Sequence, residues 1–177
     1  YNVGRFTILP NKVGLIFFSD KVEKYIPPKK GKGHILLIIR ELLNIESKGT
    51  TTNLANSLEF LNNVVKKKSI VFILSDFLTS DFEKQLTHSK RKHDIIGIQV
   101  FDPIDATLPD VGLIEILDVE SGQKRWIDTS NAQTRYDYHK QFISNTNLFK
   151  NAFLKAGADT ISISTKEDYI KPLIKKT

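Results

Sequence analysis

Apolar residues fall into two alternating patterns along this chain. Short runs bounded by turn residues predict strands at Val13–Ser19, Ser69–Ser75, Ile95–Phe101 and Thr160–Ser164. These runs are continuous rather than alternating, the pattern of strands covered on both faces. Between them lie helical stripes. Ile35, Ile38, Ile39, Leu42 and Leu43 recur at helical spacing and predict a buried helix face. Leu54, Leu58, Leu61 and Val65 predict a second one. Tyr138, Phe142, Phe149 and Phe153 mark a longer helix after Asn131, stopped by Gly157. Phe82 and Leu86 anchor a shorter helix, and Ile170, Leu173 and Ile174 a last one.

Two segments depart from the alternation. Lys21–Ile26 follows the first strand directly and meets Pro27-Pro28, so it reads as an edge strand returning antiparallel. Leu113–Asp118 and Lys124–Asp128 flank Glu120-Ser121-Gly122-Gln123 and read as a β-hairpin projecting from the sheet edge. Strands alternating with helices imply parallel βαβ units. The expected architecture is an α/β, doubly wound, mostly parallel sheet with one antiparallel edge strand and an extra hairpin. Residues 1–177 form a single domain on this reading, with no internal repeat or linker.

Composition narrows the chemistry. The chain has no cysteine, which excludes disulfides and thiolate metal sites. Its longest apolar runs, such as Ile35–Ile39 and Ile70–Leu74, are too short to span a bilayer. No signal-peptide pattern opens it, and the expected location is cytoplasmic. The net charge of +6 raises the question of nucleic acid. Its location answers for most of it. Lys66-Lys67-Lys68, Lys90-Arg91-Lys92-His93 and Lys175-Lys176 each close a predicted helix, where cations complement the dipole. In a parallel α/β sheet those ends lie opposite the carboxyl ends of the strands, so the charge collects away from the edge where ligands bind. The loop Pro27–Gly33 is basic but lacks phosphate-loop spacing.

The carboxyl ends of the strands carry the candidate chemistry. The first strand finishes Phe18-Ser19-Asp20, the second Leu74-Ser75-Asp76 and the third Phe101-Asp102-Pro103, so three aspartates reach one edge. Hard divalent cations take oxygen ligands of this kind. Short polar residues also end strands and cap helices for purely local reasons, and Asp20 and Asp102 read more as structural than as ligands. Gly49-Thr50-Thr51-Thr52-Asn53-Leu54 is a hydroxyl-rich loop entering a helix, which serves equally as an N-cap or as a hydroxyl beside a carboxylate. The four histidines, His34, His88, His93 and His139, show no zinc spacing. No nucleophile elbow or Cys/His pair is present. Trp126 in the hairpin reads as packing.

Together these residues carry a resemblance. Lys12–Asp20 and Val22–Gly31 are similar to the second and third strands of the bacterial domain of unknown function fifty-eight family, within the von Willebrand factor A-like superfamily. Thr52-Asn53-Leu54-Ala55, Ser69–Phe77, Phe101-Asp102-Pro103, Leu108–Gly112 and Glu167-Asp168-Tyr169 continue the match in order. The resemblance implies a von Willebrand A sheet with helices on both faces and a metal-ion-dependent adhesion site at the strand ends. Thr52 matches that site's loop threonine and Asp76 its aspartate after the fourth strand, with Mg2+ or Mn2+ as the implied ion. It further implies a non-enzymatic protein-binding module, partnering a MoxR-type AAA+ ATPase in chaperone-like assembly or regulation.

One departure matters. The family's first-strand Asp-x-Ser-x-Ser motif is absent, so the chain as it stands does not complete the metal site. Arg5–Leu9 has strand character, but only Pro10, Asn11 and Lys12 separate it from Val13, and parallel neighbours need a crossover of about a dozen residues. The expectation is that the sequence is discontinuous near residues 4–11, an omitted stretch carrying the first strand, its ligands and the first helix. Two rival functions stand beside the interaction module. A magnesium-dependent phosphoryl-handling enzyme needs a nucleophile or water-positioning residue beside the metal, and the sequence offers none. A nucleic-acid binder on the basic helix ends would lose affinity steeply with salt.

Overall fold

A computed structural model describes residues 12–44, 51–79, 81–117, 124–168 and 170. The expected discontinuity at residues 4–11 lies outside them, as do Leu173, Ile174 and the Lys175-Lys176 pair. Chain order is β1 (Val13–Phe18), β2 (Val22–Lys29), α1 (Lys32–Asn44), α2 (Leu54–Val64), β3 (Ile70–Ser75), α3 (Glu83–Lys90), β4 (Asp94–Phe101), α4 (Pro103–Ala106), β5 (Leu113–Leu117), β6 (Lys124–Asp128), α5 (Ala132–Ala156) and β7 (Asp159–Ser164). The fold is α/β. β3, β4 and β7 form a parallel sheet in the order β3-β4-β7, while β1-β2 and β5-β6 are antiparallel hairpins.

The core lies on one face of the parallel sheet. Ile73 and Ile95 point into a cluster with Leu54, Leu58 and Leu61 of α2, Leu86 of α3, and Phe149, Ala152 and Phe153 of α5. Ile16 and Phe18 of β1 pack against the same cluster, so the β1-β2 hairpin shares this core. α5 reaches β4 because Gly97 has no side chain: a Cβ there would sit 2.5 Å from the Phe153 ring and 2.9 Å from Phe149. The predicted helix from Asn131 to Gly157 is therefore a single long element. Asn131 caps its start by accepting from Gln133 N at 2.9 Å, and Gly157 ends it in the left-handed region at φ 70°.

Four expectations are corrected. The strand Lys21–Ile26 does not stop at Pro27-Pro28; β2 runs on to Lys29. Its register shows how. Val13 pairs with Lys29 and Leu15 with Ile26, so β2 holds one extra residue across the two prolines. A bulge at an edge absorbs residues that cannot donate to the ladder. The α1 stripe is mostly not buried: Ile38 is, but Ile39, Leu42 and Leu43 are exposed, Leu43 to 80%. β3 is not covered on both faces, because Ile70, Phe72 and Leu74, which alternate with the core residue Ile73, are exposed. Trp126 is 64% exposed rather than packed.

Two of the three basic clusters fall among the described residues, and both sit at or just beyond helix ends. Lys68 after α2 and Lys90 at the end of α3 both pair with Asp94, at 3.2 and 3.4 Å, at the amino end of β4. These contacts hold the Asp94 carboxyl below its ordinary range. His93 does not join this charged surface. It is buried, and burial together with the neighbouring Lys92 ammonium pushes its imidazole below the usual histidine range.

Candidate functional site at the strand ends

Two Ser-Asp pairs close β1 and β3 in the same way. Ser19 Oγ donates to Asp20 Oδ1 at 2.8 Å, and Ser75 Oγ donates to Asp76 Oδ1 at 3.3 Å. The loop entering α2 lies between the two strand ends. Asn53 N donates to Ser19 O at 2.7 Å, and Thr79 Oγ1 donates to Thr52 O at 2.9 Å. Residues 52 and 53 are thus fastened to the continuation of β1 on one side and of β3 on the other. Asn53 also caps α2, accepting from Asn56 N at 3.0 Å, so its side chain is committed to the helix. Thr52 is half-buried, while Asp20 and Asp76 are exposed.

The turn holding Asp76 is strained and anchored. Asp76 Oδ1 accepts from Leu78 N at 3.2 Å, and Ser75 Oγ accepts from Phe77 N at 3.0 Å. Between them Phe77 adopts φ 57°, a left-handed conformation that costs a side-chain-bearing residue about 1–2 kcal/mol. Its ring offsets that cost. It is buried, stacks on Phe149 at 4.1 Å between centroids and meets Phe153 edge-on at 5.4 Å. The core therefore fixes the direction in which the chain leaves β3 and with it the position of Asp76.

Asp102 belongs elsewhere. Its Oδ1 accepts from Ile104 N and its Oδ2 from Thr165 Oγ1, both at 3.0 Å, while its own N–H donates to Asp105 Oδ2 at 2.8 Å. This reciprocal cap starts α4 and ties it to the turn after β7. The hydrogen bond from Ile104, then that from Thr165, holds the Asp102 carboxyl below its ordinary range. A cavity of about 600 Å³ lies beside it, lined by Phe101, Pro103, Thr107, Pro109 and Lys166 among others.

Of the residues singled out by sequence, Thr52, Asp76 and Asp20 thus gather around one loop, and Asp102 is a cap at a different place. Ser19, Ser75 and Thr79 complete the arrangement and were not singled out. Two of them had a visible signal, the repeated Ser-Asp dipeptide after a strand. Thr79 had none, because its partner is 27 residues away. As a cation site the arrangement is short of ligands. Among the described residues, no group of three or more His, Cys, Asp or Glu side chains is placed to hold a metal ion. A magnesium ion takes six oxygens in near-octahedral order, and the donors here are the Thr52 hydroxyl and two aspartates already engaged by serines.

A parallel sheet flanked by helices, with its polar loops gathered where the strands end, is a von Willebrand factor A-like arrangement. The crystal structure of an aerotolerance-related membrane protein from Bacteroides fragilis shares this fold at a TM-score of 0.53 and 13% identity, covering 87% of this chain and 72% of that one. The family model "Protein of unknown function DUF58" matches residues 6–147, and the chain belongs to that family. Among curated relatives, Uncharacterized protein MAV169 of Mycobacterium avium is 25% identical over 153 residues, 85% of this chain and 90% of its own length. Uncharacterized protein Rv1480 of Mycobacterium tuberculosis is 24% identical over 168 residues. That match takes in 93% of this chain but spans only about half of the relative, 53% of its length. No described helix is long and apolar enough to cross a membrane.

Proposed function

We propose that the chain is a non-enzymatic protein-interaction module that works with a MoxR-type AAA+ ATPase in assembly or regulation, and that the partner is read at the loops carrying Thr52 and Asp76. The observation that supports this most is the fastening of residues 52 and 53 to both strand ends, through Ser19 and Thr79. It holds an exposed carboxylate and a threonine in fixed relation on the face where α/β sheets bind ligands. Ser19 and Ser75 donate their hydroxyls to Asp20 and Asp76, and these bonds orient the two carboxylates at the strand ends. A magnesium or manganese ion enters this reading only with oxygen donors beyond these residues.

The test is calorimetric titration of the 177-residue chain with a purified MoxR-type AAA+ ATPase. Asp76→Ala and Thr52→Ala are expected to weaken binding at least tenfold, ~1.4 kcal/mol or more, with circular dichroism unchanged. Equal affinity in all three proteins would remove Thr52 and Asp76 from the interface.

A further inference from the structure

β2 and α2 leave one point and travel the same way. They start near the loop where Asn53 N donates to Ser19 O at 2.7 Å, and the Tyr25 and Phe60 rings meet midway, 5.4 Å apart between centroids. Each then runs out into exposed lysines, Lys29, Lys30 and Lys32 after one and Lys66–Lys68 after the other. The first turn of α1 is held at the same end, because His34 Nε2 lies 2.9 Å from Val13 O, beside Lys12. A third segment joins through Asp94, which pairs with Lys68 at 3.2 Å and with Lys90 at 3.4 Å and so brings 90–92 alongside. Three stretches far apart in sequence thus form one basic surface where the strands of the parallel sheet begin. The strand starts bring two carboxylates to it, Asp94 and Asp159. Residues 1–11 and 171–177 contain no aspartate or glutamate, so no acidic side chain from either stretch offsets the charge.

Helix dipoles account for only part of this charge. The cations at 66–68 and 90–92 follow the carboxyl ends of α2 and α3, where they are favourable. Lys29, Lys30 and Lys32 instead precede or open α1, where the positive end of the dipole repels them and no acidic residue stands in the first turn. Local structure gives no reason for lysines there, whereas an anionic partner does.

We propose that this end of the sheet is a docking surface for an anionic lipid bilayer, which holds the chain with its Thr52 and Asp76 loops turned away from the membrane. Side-chain chemistry favours phospholipid over nucleic acid. Apart from Arg91 the cations are all lysines, compact point charges without the planar fork that pairs with phosphates and stacks on bases. Positions 29–32, 66–68 and 90–92 hold no aromatic, amide or hydroxyl side chain with which to stack on a base or read its edge. Clustered lysines of this kind are drawn by the field of a charged membrane surface rather than by fitted contacts. This inference does not rest on the ATPase or the cation reading.

The test is flotation of the full chain with lipid vesicles, in EDTA and with no ATPase present. Vesicles of phosphatidylcholine with about a quarter phosphatidylglycerol are expected to carry the protein at ~0.05 M salt, and vesicles of phosphatidylcholine alone are not. Raising the salt to ~0.2 M should cut the partition coefficient at least tenfold, because screening shortens the reach of surface charge. Lys30→Gln combined with Lys67→Gln, both at exposed positions, should also cut it at least tenfold. Lys84→Gln combined with Lys140→Gln removes the same charge from exposed positions at the start of α3 and beside His139, which meets Ala106 O past the end of β4. That pair should leave partition within about twofold. On the vesicles, amide hydrogen exchange should slow at 29–32 and 66–68 and not at 52–53 or 75–79. Three results would overturn the proposal: no flotation with the anionic vesicles, equal loss in both double variants, or slowed exchange at the strand-end loops. A fourth, binding to a DNA duplex that is tighter than to vesicles and equally dependent on Lys30 and Lys67, would also overturn it and assign the surface to nucleic acid.

Discussion

Gly97 sets the distance between α5 and the sheet. It sits in the middle of β4, where the Phe149 and Phe153 rings close over its backbone. Substitution with alanine must push one ring aside, and those rings are also the support for Phe77 and the Asp76 turn. Gly97→Ala is expected to lower stability by about 1–3 kcal/mol, the usual cost of overfilling a packed core, read as a lower urea midpoint at unchanged slope. An unchanged midpoint would mean that α5 is free to move off the sheet. At this scale the sequence was informative about residue type and poor about partnership. Asp76 and Thr52 could be picked out as a carboxylate after a strand and a hydroxyl before a helix. What joins them is Thr79, and a hydrogen bond across 27 residues leaves no local trace.

Helix periodicity marks an apolar face, and whether anything covers that face is a separate matter. The α2 stripe is buried under the sheet, whereas the equally regular α1 stripe is mostly exposed, because among the described residues α1 packs mainly against β1. The polar side of packing was less legible still. Asn62 of α2 donates to Ser89 Oγ of α3 at 2.7 Å in the buried seam beside β4. His93, in the turn between α3 and β4, is buried with neither ring nitrogen hydrogen-bonded among the described residues, and Asn62 Oδ1 is likewise unpartnered. An imidazole whose charged form is disfavoured on folding stabilises fully above its unfolded pKa of about 6.5, and that contribution is lost as pH falls. Stability from guanidinium unfolding is therefore expected to drop between pH 7.5 and 5.5, and His93→Leu should flatten the drop. An equal drop in both proteins would assign the effect elsewhere.

At the scale of the whole molecule, basic and acidic groups lie toward different ends of the strands. Lys68 and Lys90 converge on Asp94 at the amino end of the parallel sheet, while Asp20, Thr52 and Asp76 gather where β1 and β3 finish. That division was readable from the sequence, because helix ends and strand ends alternate in a fixed order once the βα pattern is recognised. The split between the β1-β2 hairpin and the β3-β4-β7 sheet is a matter of pairing, which apolar runs do not specify: Val13–Phe18 and Ile70–Ser75 look alike as strings and differ only in their neighbours. The interaction reading is tested most directly by a hydrogen-exchange footprint of the chain bound to a MoxR-type AAA+ ATPase. Protection is expected at residues 19–20, 52–53 and 75–79, with the basic segments 66–68 and 90–92 unaffected. Protection confined to those basic segments, with the Asp76 loop exchanging as in the free protein, would contradict it and place the partner at the opposite end of the sheet.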